Sequence, residues 1–245
     1  MPIFRIITFI CFLALTGCFE DNPSSGIPSE DMWVDYSVES EDGSRAKVSA
    51  MIGDDHSSTG DFVLSDGDYI ELHHGDLIKS LSTHDSTFYN IYSTRIDLNS
   101  SELLFIAYHR KDEVSALYSY VDIPQKVQLH STPLTSFSGQ EEVMLFWEEG
   151  LQAENNNEIH IKLECNFKNG EVDTDYRFYN VETLDTEFHF SINDLLIFIE
   201  LDEIDTCNVE AEFLVTRYGS IDSVLGGGNI NMIQRSLISL NYDKG

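Results

Sequence analysis

The chain has 245 residues, with 43 acidic against 14 basic side chains and a formal net charge of −29. No cluster of Lys and Arg could release counterions from a nucleic acid, so nucleic-acid binding is excluded, and adhesion of the protein surface to anionic head groups is disfavoured for the same reason. At 42% hydrophobic and 11% aromatic residues the chain can bury a core, which excludes global disorder and leaves divalent cations or cationic partners as its natural counter-charges.

The first segment, MPIFRIITFICFLALTGC, carries one Arg and no acid before an apolar run from Ile6 to Thr16. A helix needs about 20 apolar residues to cross a bilayer, so this run is too short to span and fits the core of a signal peptide. It ends on Leu15, Thr16, Gly17 and Cys18: an aliphatic residue, two small ones and a cysteine. This LTGC resembles the lipobox of bacterial lipoprotein precursors. The resemblance implies a signal peptide over residues 1–17, cleavage before Cys18, a diacylglycerol on its thiol and an acyl group on the new amino terminus. Two or more chains hold a protein stably where one does so only marginally, so the implied membrane contact is a lipid anchor at Cys18. Phe19 stands where lipoproteins retained at the inner membrane of enteric bacteria carry Asp, which implies an outer-membrane location, facing the periplasm or the surface. Residues 18–31 follow as a polar stretch with EDNPSSGIPSED at 20–31. It has no apolar periodicity and reads as a flexible tether.

From Met32 onward the pattern is of strands. RAKVSAMI places Ala46, Val48, Ala50 and Ile52 on one face, and VSALYSYV does the same for Val114, Ala116, Tyr118 and Tyr120. Turn signals recur about every ten residues: EDG at 41–43, GDD at 53–55, SDGD at 65–68, HGD at 74–76 and NNN at 155–157. Asp54, Asp55, Asp61, Asp66 and Asp68 crowd these turns, and their hard oxygens make calcium the candidate cation, although the spacing is not that of an EF-hand. The site reading is Asp54, Asp55, Asp66 and Asp68; the plain reading is turn chemistry and solubility. In YIELHHGDLIKSLSTHD, His73, His74, Asp76, His84 and Asp85 form the densest set of ligand-type residues. Neighbours on a strand point to opposite faces, so His73 and His74 cannot both bind one ion. The set reads as edge and turn histidines, with a zinc or copper site as the sharper alternative.

Pro124, in DIPQKV at 122–127, cannot donate to a ladder and marks a break. About eight strands are predicted before it and seven or eight after it. The predicted architecture is all-β: two tandem antiparallel β-sandwich domains, residues 32–122 and 123–245. The second opens PQKVQLHSTPLTSFSGQEEVMLFWEEG, with Val143, Leu145 and Trp147 alternating. This resembles the start of a fibronectin type III or other immunoglobulin-like module, though Trp147 precedes both later cysteines instead of lying between them. In IHIKLECNF and CNVEAEFLV, Cys165 and Cys207 fall on the apolar side of period-two runs. Two inward cysteines in one exported core are expected to join, and closing that loop is worth about 4 kcal/mol. INDLLIF at 192–198 is too short for more than a strand or one helical turn. Gly226, Gly227 and Gly228 read as a bulge or hairpin, and the tail around them is similar in layout to Gram-negative envelope lipoproteins of no assigned function.

No nucleophile elbow, HExxH or Walker loop occurs. Glu200, Asp202, Glu203 and Asp205 read as a solvated rim. The expected function is a non-catalytic binding module on a lipid anchor, with another envelope protein as candidate partner and no cofactor required. The alternatives are an envelope hydrolase acting on glycan or peptide through carboxylates, and a calcium-dependent adhesin.

Overall fold

The computed structural model describes residues 22–54, 62–85, 90–98, 103–133, 142–148, 151–195 and 204–243. Cys18, Asp55, Asp61, Glu200, Asp202 and Glu203 lie outside them, as do the side chains of His84 and Asp85. Up to the break at Pro124 the strands are β1 (Asn22–Pro23), β2 (Met32–Ser40), β3 (Arg45–Asp54), β4 (Phe62–Val63), β5 (Tyr69–His74), β6 (Leu77–Ser80), β7 (Ser82–Asp85), β8 (Asn90–Asp97), β9 (Leu104–His109) and β10 (Leu117–Val121). Beyond it come β11 (His130–Ser131), β12 (Glu142–Phe146), β13 (Asn155–Phe167), β14 (Val172–Asn180), β15 (Glu187–Ser191), a single helical turn α1 (Ile192–Leu195), β16 (Ile204–Tyr218) and β17 (Gly227–Asp243).

The chain's regular structure is almost entirely β, in packed sandwich layers. One sheet of eight strands runs β14-β13-β16-β17-β2-β3-β8-β7. A four-stranded sheet, β10-β9-β5-β6, covers one half of it, and a three-stranded sheet, β11-β12-β15, covers the other. Each half has its own core. Val34, Val48 and Ile52 meet Ile70, Leu72 and Ile106 in the first. Ile159, Ile161, Val209 and Phe213 meet Val143, Leu145 and Phe190 in the second. The alternation predicted for 46–52, 159–165 and 207–215 is the alternation observed, because each of these strands turns one face to a core and the other to water.

Several features differ from the sequence reading. Among the described residues the pairings are antiparallel except β1 with β4 and β17 with β2, which are parallel. The second exception joins the halves: Leu225, Ile230 and Met232, within the span 123–245, pack in the first core, and the long β17 then continues into the second with Ile238 and Leu240. The triple glycine makes this seam possible. Gly228 has φ +139, and a Cβ there would collide with the Val34 backbone, while one on Gly226 would meet the Glu30 carbonyl. The glycines therefore serve a close backbone approach and not a hairpin. Asn155–Asn157, predicted as a turn, open β13, and Asn157 is buried.

A further difference is the segment read as a tether. From Asn22 it is docked on the first sandwich. Asn22 and Pro23 pair with Phe62 and Val63, Ser24 and Ser29 are buried, and Ile27 packs against the core. The Arg110 guanidinium donates to the carbonyls of Ser24 (3.1 Å) and Ile27 (2.7 Å) and to the Ser29 hydroxyl (2.6 Å). A charged donor fork saturates the polar backbone that composition alone assigns to solvent.

The β2–β3 turn gives a pH-dependent test. Asp42 accepts hydrogen bonds from the backbone N–H groups of Ser44 (2.8 Å) and Arg45 (3.0 Å), and these hold its carboxyl down from 3.8 to about 2. A lowered folded-state value stabilises above the unfolded value, and the contribution disappears as pH falls through the folded one. Asp42→Ala is expected to lower the melting temperature at pH 7. Scanning calorimetry should then show the difference from wild type shrinking as pH drops from 4 to 2.

Candidate binding face

Strands β5, β6, β9 and β10 form a sheet whose inner side is core and whose outer side is open. Side chains alternate along each strand. Ile70, Leu72 and His74 of β5 are buried, so Tyr69, Glu71 and His73 face outward. In β9 the register sets Tyr69 opposite His109, Glu71 opposite Ala107 and His73 opposite Phe105. β10 adds Tyr118 opposite Ala107 and Tyr120 opposite Phe105, and β6 adds Ile78 opposite His73. Register alone thus gathers six aromatic or imidazole rings, the Ile78 side chain and a carboxylate on one surface.

Tyr118 and Tyr120 share one face of β10, as the alternation predicts, and that face is the outer one. Leu117, Ser119 and Val121 point inward, and the two tyrosines point out, 48% and 42% exposed; Val114 is wholly exposed. Inward Ser119 is tolerable because its hydroxyl accepts the Asp222 N–H at 3.1 Å. Tyr69 and Ile78 are 45% and 59% exposed on the same surface. The rings are mutually ordered: Tyr69 stacks on His109 at 4.2 Å and 9°, Tyr118 meets His73 edge-on at 6.2 Å, and Phe105 lies 6.1 Å from Tyr120. Such arrangements are favourable for aromatic pairs.

Within this surface three polar atoms converge. Glu71 Oε2 lies 3.3 Å from His109 Nε2 and 3.6 Å from His73 Nε2, and all three donor atoms lie within 4.8 Å of one another. Both Nε2 atoms are shut off from solvent and have no hydrogen-bond partner. His160, outward on β13, behaves differently. His160 Nε2 bonds Glu158 at 2.8 Å, and that bond holds the Glu158 carboxyl below its usual range. His73 was in the set singled out in the sequence, and His74 indeed points the other way. Glu71 and His109 were missed. The period-two pattern of YIEL marks Glu71 as outward, but LFIAYH is nearly all apolar and hides its outward face.

The aspartates predicted as a cation site fall elsewhere. Asp54 ends β3, while Asp66 and Asp68 line a cleft of about 260 Å³ with Ser25, Ser65, Arg110 and Lys111. Asp68 accepts from the Ser24 hydroxyl at 2.7 Å and from the Lys111 N–H at 2.8 Å, so its oxygens fasten the docked N-terminal segment. Among the described residues, Asp54, Asp66 and Asp68 do not converge as a ligand set. Cys165 and Cys207 are directly opposite in the β13–β16 register and form a disulfide. It joins neighbours within one sheet, whereas the immunoglobulin bridge spans two sheets. Trp147 packs on Phe213 at 4.8 Å, and its indole N–H donates to the Asp185 carbonyl.

No family model matches the sequence, and no curated protein matches it. Solved structures do. A cytokine receptor complex is 10% identical, with 85% of this chain and 96% of that one covered and a TM-score of 0.30. A second crystal form of a cytokine receptor complex is 12% identical over 83% and 99%, at 0.28. The chicken CNTN1 FN1–FN3 domains are 10% identical over 92% and 70%, at 0.29. A fold of this kind hosts many functions, so function has to be argued from the site.

Proposed function

We propose that this chain is a lipid-anchored protein of the bacterial cell envelope whose folded part is a non-catalytic binding module. The observation that carries the reading is the outer face of the four-stranded sheet, where Tyr69, Tyr118, Tyr120 and Ile78 stand together half in solvent. Aromatic side chains gathered on an open face are the composition of protein interfaces, which bury rings of this kind as anchors. The net charge of −29 favours a partner with a basic surface and speeds its approach. The LTGC sequence at 15–18 supports the anchor on Cys18. The partner is therefore an envelope protein that sets a basic rim around an apolar patch.

Affinity capture from detergent-solubilised envelopes tests this with three forms: wild type, Cys18→Ser, and Tyr118→Ala/Tyr120→Ala. The expected result is one basic protein retained by the first two, lost by the tyrosine variant and weakened by salt. Labelled palmitate should enter wild type and the tyrosine variant but not Cys18→Ser. Equal retention by the tyrosine variant, or nothing retained by any form, would overturn the interaction. Acyl label in Cys18→Ser would overturn the anchor.

A further inference from the structure

We infer that Glu71, His73 and His109 form a binding site for a divalent transition-metal ion of the zinc class. Zinc bonds histidine nitrogen at about 2.0–2.1 Å and carboxylate oxygen at about 2.0–2.2 Å. Tetrahedral placement at those lengths separates ligand atoms by about 3.3 Å. Glu71 Oε2 already stands 3.3 Å from His109 Nε2 and 3.6 Å from His73 Nε2. The remaining separation, between the two nitrogens, is within 4.8 Å.

Without an ion this arrangement is costly. Two ring nitrogens are hidden from water, make no hydrogen bond, and lie 3.3 and 3.6 Å from one carboxylate oxygen. Buried polar atoms of this kind require a partner, and an ion placed among the three atoms supplies it. Two imidazoles and one carboxylate are a donor set suited to first-row divalent metals, whereas calcium and magnesium prefer oxygen alone. The neighbours fix the ligands. Tyr69 is stacked flat on His109, and Tyr118 is set edge-on to His73, so both rings are held before the ion arrives. The strongly acidic surface raises the local cation concentration. Three protein ligands leave at least one coordination position for water on an open face. The site does not require a protein partner, so its failure and that of the interaction reading are seen separately.

The full chain, stripped with chelator and dialysed against zinc alone, tests the inference. Bound metal is measured by mass spectrometry. Wild type is expected to hold one more zinc per chain than the His73→Ala/His109→Ala variant, with weak sites on the acidic surface common to both. Each single histidine variant, and Glu71→Gln, should weaken this zinc by at least the about 10–100-fold lost when an outer-shell partner is removed. His189→Ala should change nothing, because its two nitrogens face two different carboxylates, Glu142 and Glu187. Circular dichroism identifies folded variants; Glu71→Gln keeps its shape and serves if a histidine variant unfolds. Equal zinc in wild type and the folded variants, or no zinc difference at saturating metal, would sink the site.

Discussion

Replacing both Cys165 and Cys207 by alanine is expected to lower the unfolding free energy by about 4 kcal/mol, read from urea denaturation. The bridge closes a loop between residues 42 apart, and the chain-entropy model gives that figure for a loop of this length. The total stability of a domain is about 5–15 kcal/mol, so the loss is a large share of it. The enclosed segment contains β14, β15 and α1, and hydrogen exchange should quicken there first. Serine replacements should be worse than alanine. Both positions are buried, at 1% and 3% exposure, and each hydroxyl would need a partner in an apolar setting. Reductant should mimic the double alanine variant in wild type and have no effect on the variant itself. A stability change below 1 kcal/mol would show that the bridge is incidental to the second core.

Gly228→Val is expected to cost more than about 3 kcal/mol, at the high end for a single substitution. Two effects combine. The φ of +139 is a region that side chains with a Cβ rarely adopt, and the added carbon would strike the backbone of Val34 on the paired strand. Backbone cannot rotate aside as a side chain can, so β17 and β2 would have to part. Gly170→Ala separates the two effects. Gly170 also has positive φ, +85, but nothing lies within 4 Å of a Cβ there. That variant should lose only about 1–2 kcal/mol, the conformational part. Exchange protection in Gly228→Val should fall along 227–234 and 33–40, where the two strands pair. If both variants lose equal stability, the close approach has no role in the seam.

The buried faces of β3, β13 and β16 could be read directly, because apolar and polar residues alternate there without ambiguity. The faces of β10 could not. Leu117 and Val121 alternate with Tyr118 and Tyr120, and a tyrosine suits a core or an interface equally well. The buried Ser119 tips that balance only through its bond to Asp222, which is 103 residues away. The metal-type triad was out of reach for the same reason. Glu71 and His109 are brought together by the β5–β9 register, which no local pattern encodes. The parallel union of β17 with β2 likewise depends on residues nearly the whole chain apart, although the glycine run flagged that something came close there.

The grip of Arg110 on residues 24–29 has a bearing on geometry at the lipid surface. The anchor proposed at Cys18 lies four residues before Asn22, where the first strand begins. An extended chain covers about 3.3–3.6 Å per residue, so the stand-off is at most about 14 Å. The sandwich would then ride on the head groups, too close for its faces to sweep the compartment. Only molecules embedded in, or resting upon, the same leaflet would come within its range.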